Sequence, residues 1–186
     1  PTFMMGHRVN RKRLGIIGMG RIGQALAKRA RGFDMQIHYH NRNRVDEKLE
    51  SFLEATYWES LDNMLAHIDF LSINCPRTRE TYHLLNFDRL KLLKPHAIII
   101  NTARGDIIDE RALAERLKIG AISGAGLDVY ENEPIINPNL AELENVVLMP
   151  HLGSATYESR QAMGEKVIKN IVDFNAGCLS ADLIIK

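Results

Sequence analysis

A glycine-rich turn between an apolar run and a helical segment is the feature that most constrains the fold. The six residues from 18 to 23 read G-M-G-R-I-G, directly after the apolar run Leu14–Gly18. In a G-x-G-x-x-G turn, the first glycine permits the tight bend, the second lets the backbone approach a pyrophosphate, and the third lets the helix pack against the strand. The helix N-terminus also attracts phosphates. The turn therefore predicts a dinucleotide-binding strand–turn–helix unit that uses Gly18, Gly20 and Gly23.

The rest of the chain continues this alternation of strands and helices. Helical spacing covers Arg21–Arg31, Asp109–Ile119 and Ser154–Asn175, with Gly32 and Gly120 as stop signals and Asp109 as an N-cap. The expected strands are apolar throughout rather than two-faced, which is typical of a parallel sheet covered on both sides. We therefore predict an α/β fold, a Rossmann-type doubly wound parallel sheet with helices on both faces. After Leu14–Gly18, the expected strands are Met35–Tyr39, Phe70–Ile73, Ala97–Ile100, Gly124–Leu127 and Val146–Met149.

Composition excludes several other classes of protein. The chain has 186 residues with 24 Lys and Arg against 23 Asp and Glu, so no strong field favours nucleic acid or a membrane surface. No apolar run approaches the roughly 18 residues that a membrane span needs. Two cysteines form no disulfide framework, and the seven histidines show no convincing metal-ligand spacing. We expect a soluble, cytoplasmic protein without a metal, a nucleic-acid partner or a membrane partner.

The residue that follows the second strand bears on the choice of dinucleotide. An acidic residue about 20 positions after the glycine turn would bind the ribose 2′-hydroxyl of NAD. The sequence instead has Asn41, followed by Arg42, Asn43 and Arg44. An acid repels a 2′-phosphate and an arginine pairs with it, so this segment favours NADP over NAD. The alternative is that Arg42 and Arg44 are merely solvated loop charges.

Three further strand ends carry residues suited to catalysis. Arg104, Glu133 and His151 each follow a predicted strand, and the carboxyl ends of the strands border the ligand crevice in a doubly wound sheet. Reduction of a carbonyl group beside a dinucleotide needs a hydride and a proton, and histidine is the natural acid near neutral pH. A neighbouring carboxylate favours the imidazolium form, and an arginine binds the substrate carboxylate or carbonyl. We predict that these three residues are catalytic.

Taken together, these motifs resemble the D-isomer-specific 2-hydroxyacid dehydrogenases over nearly the whole chain. The segment from Tyr39 to Arg42 is most similar to the branch of glyoxylate/hydroxypyruvate reductases. The resemblance implies that Arg104 binds substrate, that Glu133 partners the histidine and that His151 donates the proton. It implies a homodimer that transfers hydride from NADPH to glyoxylate or hydroxypyruvate. Besides the three glycines, the expected cofactor contacts are Arg21, Ile22, Asn41, Arg42, Asn43, Cys75, Pro76, Thr102, Ala103, Asp128, Gly153 and Ser154.

The resemblance also predicts how the chain is organised. We expect residues 1–13 to be the remnant of an interdomain linker, residues 14–153 to be the NAD(P)-binding Rossmann domain, and residues 154–186 to be a return helix and tail toward a substrate domain. That domain precedes the Rossmann unit in the family and is not in this sequence, which begins at Pro1. We therefore expect cofactor binding with weak or absent turnover of 2-keto acids.

Two other functions remain open. Phosphoglycerate and D-lactate dehydrogenases share the same Arg, Glu and His, although the missing acid at position 41 counts against their usual preference for NAD. A protein of a different class, a dinucleotide-sensing corepressor without enzyme activity, resembles the same family and retains its motifs.

Overall fold

The computed structural model describes residues 6–178. Two compact units are present, the first ending at Pro150 and the second beginning at His151. The first unit contains a seven-stranded, all-parallel sheet. Its strands are β1 (Arg13–Ile17), β2 (Gln36–His40), β3 (Ala55–Tyr57), β4 (Phe70–Ile73), β5 (Ile98–Asn101), β6 (Gly124–Leu127) and β7 (Val146–Leu148). The helices are α1 (Arg21–Ala30), α2 (Glu47–Leu53), α3 (Leu61–His67), α4 (Phe87–Leu90), α5 (Glu110–Lys118), α6 (Pro138–Ala141) and, in the second unit, α7 (Tyr157–Asn175).

The strand order β3-β2-β1-β4-β5-β6-β7 reverses direction at β1. The chain runs outward from β1 to β3, then returns to the other side of β1 and continues outward to β7. This is the doubly wound order, and it creates a crevice between the carboxyl ends of β1 and β4. The predicted α/β class and the parallel sheet are confirmed.

Apolar side chains of β1 alternate between two cores. Leu14 and Ile16 pack in one apolar cluster with Ala27 of α1, whereas Ile17 lies in the other cluster with Leu65 of α3. Successive residues of a strand point to opposite faces, so each face of the sheet is covered by its own helices. Each fully buried Leu or Ile contributes roughly 1.5–3 kcal/mol, which explains why the strands are apolar on both faces.

The helices begin and end at capping residues, and the spacing of apolar residues indicates these ends less accurately. The Asp109 side chain accepts a hydrogen bond from Ala112 N, and Gly120 has a φ of +68°, so both predicted signals of α5 are confirmed. Gly32 was wrongly predicted to stop α1. The chain continues as a 3-10 turn to Phe33, and Asp34 is the left-handed residue, with φ +55°.

The predicted helix Ser154–Asn175 begins later than expected. It starts at Tyr157, because the Thr156 hydroxyl accepts a hydrogen bond from Ser159 N and so caps the first turn. Five short elements were not predicted at all: β3, α2, α3, α4 and α6. Each of the four helices has a side-chain cap that the sequence displays, namely Asp46, Ser60, Asn86 and Asn137.

Candidate functional site: the carboxyl edge of the sheet

The glycine turn joins the ends of β1 and β4. Gly18 has a φ of +98°, and a Cβ at this position would lie 2.5 Å from the backbone nitrogen of Cys75. Asn74 N donates a hydrogen bond of 2.7 Å to Ile17 O. Only glycine has both the conformation and the space that this junction requires.

The glycine turn packs tightly against the protein at Gly23 and faces free space at Gly20. A Cβ on Gly23 would lie 2.2 Å from Gly18 O, so this glycine is required for helix and strand to pack together. A Cβ on Gly20 would meet nothing within 4 Å, and no side chain caps the start of α1 at this residue. Arg21 and Ile22 of the first helical turn are exposed. An open backbone and an uncapped helix N-terminus fit a dinucleotide pyrophosphate.

The segment after β2 is attached to the glycine turn. Met19 N donates a hydrogen bond of 2.7 Å to Asn41 Oδ1, and Tyr57 donates from its hydroxyl to Asn41 O. Arg42 and Asn43 are exposed. The Asn41 amide is therefore oriented with its oxygen toward the turn, which leaves its NH₂ group to donate elsewhere.

The two arginines of this segment differ sharply. Arg44 makes two hydrogen bonds to Glu50, of 2.8 and 2.7 Å, and its guanidinium lies 5.8 Å from the centre of the Tyr57 ring. These hydrogen bonds raise the pKa of Arg44 and lower the pKa of Glu50. Arg44 is therefore neither a merely solvated charge nor a free one. Arg42 is exposed and makes no such pair with Glu50. Hydrogen bonds lower the pKa of Glu80, and the charge of Arg42 contributes to this lowering.

Cys75 and Pro76 follow β4 beside the glycine turn. Burial raises the pKa of the Cys75 thiol to about 11, so the thiol stays protonated near neutral pH. A thiolate is the reactive form of cysteine. A protonated thiol argues against a nucleophilic role for Cys75 and is compatible with its predicted place among the cofactor contacts.

A buried asparagine shapes the segment that carries Arg104. Asn101 Oδ1 accepts from Ala103 N at 3.0 Å, and Asn101 Nδ2 donates to Arg104 O at 2.9 Å. Thr102 and Arg104 are exposed. Among residues 6–178, no carboxylate lies within ion-pair distance of the Arg104 guanidinium, which is hydrogen-bonded to Ala103 O. The backbone is therefore fixed while the charge is available to a ligand.

The segment carrying Glu133 packs directly against the one carrying Arg104. A Cβ on Gly105 would lie 1.8 Å from the carbonyl carbon of Tyr130. Tyr130 N donates to Glu133 Oε1 at 3.1 Å, and the Tyr130 hydroxyl donates to Met149 O at 2.8 Å. Asp128, at the end of β6, is buried, and its N–H donates to Asn101 O. The structure thus brings together the strand-end residues of β5 and β6, with Glu133 itself exposed.

His151, Gly153 and Ser154 belong to the second unit and precede α7. His151 is exposed and has a φ of +57°, an uncommon conformation for a residue with a side chain. Ala155 N donates to Leu152 O at 2.9 Å, which forms a turn before the helix.

The sequence analysis did not assign a role to several residues that support these segments. Asn101 and Tyr130 are buried and hold the backbone on either side of Gly105, and His83 contacts Glu131 from 48 positions away. The position of Asn101 at the end of a short apolar strand was one local signal that it holds the following segment. In the described part of the chain, no group of three His, Cys, Asp or Glu residues is placed to hold a metal, and no helix is both long and apolar enough to cross a membrane.

The strand order of the sheet and the open glycine turn together define a Rossmann-type dinucleotide-binding domain. Residues 1–153 match the model of the D-isomer specific 2-hydroxyacid dehydrogenase family, NAD binding domain. The chain belongs to this family.

Named relatives agree with this assignment. A glyoxylate reductase of Thermococcus litoralis is 49% identical over 186 residues, which are 100% of this chain and 56% of the relative. The crystal structure of a putative D-isomer specific 2-hydroxyacid dehydrogenase from Polaromonas has a TM-score of 0.93 at 44% identity, covering 100% of this chain and 57% of that one. An NADPH-dependent glyoxylate/hydroxypyruvate reductase from Sinorhizobium meliloti, in complex with NADP and malonate, has a TM-score of 0.83 at 39% identity, covering 88% and 50%. The chain spans about half the length of these relatives.

Proposed function

We propose that this chain is the cofactor-binding part of a reductase that converts glyoxylate or hydroxypyruvate to the 2-hydroxy acid. The observation that carries the proposal is the close packing of Gly105 against Tyr130, which fixes the segments of Arg104 and Glu133 side by side at the carboxyl edge of a dinucleotide-binding sheet. The names of the relatives supply the substrate class.

The proposed cofactor contacts divide into three groups along this edge. The chemistry that the dinucleotide supplies when bound is transfer of a hydride to the carbonyl carbon. The glycine turn with Arg21 and Ile22 holds the pyrophosphate, and the segment 41–43 holds the adenosine ribose. The nicotinamide end is held by Cys75, Pro76, Thr102, Ala103, Asp128, Gly153 and Ser154.

The proposed catalytic residues have distinct tasks. Arg104 binds the substrate carboxylate through its guanidinium, which aligns the carbonyl carbon for hydride attack. His151 donates a proton to the oxygen that becomes negatively charged, so hydride and proton together reduce the carbonyl group to an alcohol. Glu133 is the proposed acidic partner of His151 in this reaction.

Replacing the proton donor tests this function. In the full-length protein, we expect His151→Ala to lower the turnover of glyoxylate by about 10²- to 10⁴-fold and to leave the dissociation constant of NADPH nearly unchanged. The exposed His7→Ala is the matched control. Steady-state kinetics and fluorescence titration measure both quantities. Near-normal turnover of His151→Ala would remove this residue from the mechanism.

We further propose that NADP is preferred over NAD and that Arg42 recognises the 2′-phosphate. The support is the exposed Arg42 beside an oriented Asn41, with no acid at this position. Arg42→Gln should weaken NADPH binding by roughly 10- to 100-fold, because a hydrogen bond to a charged group contributes about 1.5–3 kcal/mol. NADH binding should not change. Arg44→Gln is the matched control, since its guanidinium is already bound to Glu50. Equal affinity of the unmodified protein for NADH and NADPH would contradict the proposal.

We also propose that the full-length protein is a cytoplasmic homodimer. The support is the family resemblance together with the apolar side chains that α7 exposes, including Val167, Ile171 and Phe174. Such side chains are normally covered by another surface. Analytical ultracentrifugation of the full-length protein measures the assembly state, and a monomer at micromolar concentration would contradict the proposal.

A further inference from the structure

A histidine outside the proposed catalytic set touches both segments that carry the proposed catalytic residues of the first unit. His83 lies in the connection between β4 and α4 and is half-buried. The sequence offered it no role. Its backbone is bound to the segment after Arg104, and its ring is bound to the segment before Glu133.

The backbone contact fixes His83 against the segment that follows β5. His83 N donates a hydrogen bond of 2.8 Å to Asp106 O, two residues after Arg104. Leu85 and Ile108 then pair as a parallel bridge. His83 has a φ of +46°, a left-handed conformation that is uncommon for a residue with a side chain. This conformation coincides with the change of direction between the turn and the bridge.

The ring contact fixes the segment that follows β6. His83 Nε2 lies 2.7 Å from Glu131 Oε1, and the Tyr82 ring stacks on the imidazole with centroids 4.0 Å apart. Glu131 N donates a hydrogen bond of 2.6 Å to Glu110 Oε1, and Glu110 is 5% exposed. Glu131 is therefore held through its side chain by His83 and through its backbone by α5.

Glu131 is two residues from Glu133, and a hydrogen bond restricts the movement of one relative to the other. The Glu133 carboxylate accepts from Tyr130 N, the residue directly before Glu131. Tyr130 is itself in close contact with Gly105, beside Arg104. A displacement of Glu131 would therefore move both the carboxylate of Glu133 and the packing that holds the Arg104 segment.

We propose that His83 is a positioning residue for the reaction, acting through Glu131 to hold Glu133 and Arg104 in their relative places. This proposal rests on the proposed function, because it needs those two residues to take part in catalysis. His83 does not touch the substrate. Its effect comes from geometry, since a misplacement of about 1 Å can cost roughly 10²-fold in rate.

The test removes the ring and keeps the backbone. Asparagine tolerates the left-handed conformation better than most residues, so His83→Asn deletes the contact with Glu131 at small backbone cost. In the full-length protein we expect kcat/KM for glyoxylate to fall by about tenfold, with a higher KM and a lower kcat. The NADPH dissociation constant should stay within about twofold of its original value, since the glycine turn is not altered.

A matched control separates the ring from the backbone. Arg11 is exposed, has a φ of +62° and lies in the chain before β1. Arg11→Asn makes the same kind of replacement at a left-handed residue, and it should leave kcat/KM and NADPH binding unchanged. A purely structural role of His83 would instead lower thermal stability, NADPH binding and activity in parallel, and that result would overturn the proposal.

A double-mutant cycle tests whether His83 acts through Glu131. In the background of Glu131→Ala, the same His83→Asn replacement should lower kcat/KM by less than about twofold, because the contact is already gone. A full tenfold loss in that background would overturn the proposed route.

The activities of the unmodified full-length protein and of Glu133→Gln distinguish failure of this inference from failure of the proposed function. If the unmodified protein does not reduce glyoxylate with NADPH or NADH, the proposed function itself is wrong. If it does and Glu133→Gln retains full activity, Glu133 has no catalytic role and the positioning role of His83 is wrong. If Glu133→Gln is impaired and His83→Asn stays within twofold of the original kcat/KM, only the positioning role of His83 is wrong.

Discussion

The two edges of the sheet use charged residues in opposite ways. At the amino edge, Asp69 is 5% exposed and surrounded by cations. Arg13 donates to it from Nε at 3.1 Å and from Nη2 at 2.8 Å, His96 Nε2 lies 2.9 Å away, and Lys94 lies at 3.8 Å. Burial alone raises the pKa of Asp69, but the hydrogen bonds from Arg13 and His96 outweigh it and hold the pKa well below its usual range.

At the carboxyl edge, two of the proposed catalytic residues lie on segments whose backbone is held by hydrogen bonds. Arg104 lies on a segment fixed by Asn101, and Glu133 accepts from Tyr130 N. Both residues remain exposed. Removing one partner of a buried ion pair destabilises the fold, whereas an exposed arginine on a fixed backbone, such as Arg104, can bind a ligand. We therefore expect the amino edge to serve folding and the carboxyl edge to serve the proposed binding and catalysis.

The largest loss of stability and turnover is expected when a methyl group is added at Gly105, at the carboxyl edge. Gly105→Ala places a Cβ 1.8 Å from Tyr130 C, within backbone that has little freedom to move. We expect the free energy of unfolding to fall by about 3 kcal/mol and the turnover of glyoxylate by the full-length protein to be abolished. Urea denaturation and kinetics measure the two effects. The matched control is Gly126→Ala in β6, where a Cβ meets nothing within 4 Å. Similar losses in both variants would contradict the role of this contact.

A somewhat smaller effect is expected at the amino edge, and there it should be confined to stability. Asp69→Asn leaves Arg13 without its carboxylate and should lower the free energy of unfolding at pH 7 by about 2–3 kcal/mol. Because the pKa of Asp69 is depressed in the folded state, its contribution is present above the unfolded value near 4 and lost as the pH falls. The difference between variant and original should therefore shrink on acidification.

Activity measurements on Asp69→Asn test the comparison directly. Once corrected for the folded fraction, kcat/KM should match that of the original protein. A specific loss of turnover would show that the amino edge also contributes to catalysis, which would break the contrast between the edges.

The smallest effect at neutral pH is expected from a buried histidine just inside the amino edge. Burial, together with the nearby His67 and Arg13, lowers the pKa of His38 to about 4. A lowered histidine pKa means that the unfolded chain binds more protons between about pH 6.5 and pH 4, so stability is complete above this window and falls within it. His38→Gln should change the free energy of unfolding little at pH 7. Between pH 7 and pH 5, the variant should lose about 2 kcal/mol less of this free energy than the original protein does.

Urea denaturation between pH 7 and pH 4 measures this effect. The exposed His7→Gln serves as the control and should keep the original pH dependence. An unchanged slope in His38→Gln would show that another group is responsible for acid sensitivity.

The sequence predicted those structural features that depend on contacts between residues close together in the chain. The glycine turn, the buried strands and the Asp109 cap were predictable because each depends on neighbouring residues. The three residues of β3 were too few to show a pattern. Gly105 and His83 were missed because their partners lie 25 and 48 positions away, and only the fold brings them together. Arg42 and not Arg44 was among the predicted cofactor contacts, but the hydrogen bonds from Arg44 to Glu50 were not predicted.

The hydrogen bond between Met19 and Asn41 has an evolutionary consequence. Met19 requires an oxygen acceptor at position 41, and both asparagine and aspartate provide one in the same place. The codons of these two amino acids differ by one base. A single nucleotide change therefore adds a negative charge where the ribose is expected to lie and keeps the contact that holds the turn. The proposed preference for NADP is thus one mutational step from a site with an acid at position 41, and the binding turn remains intact along that step.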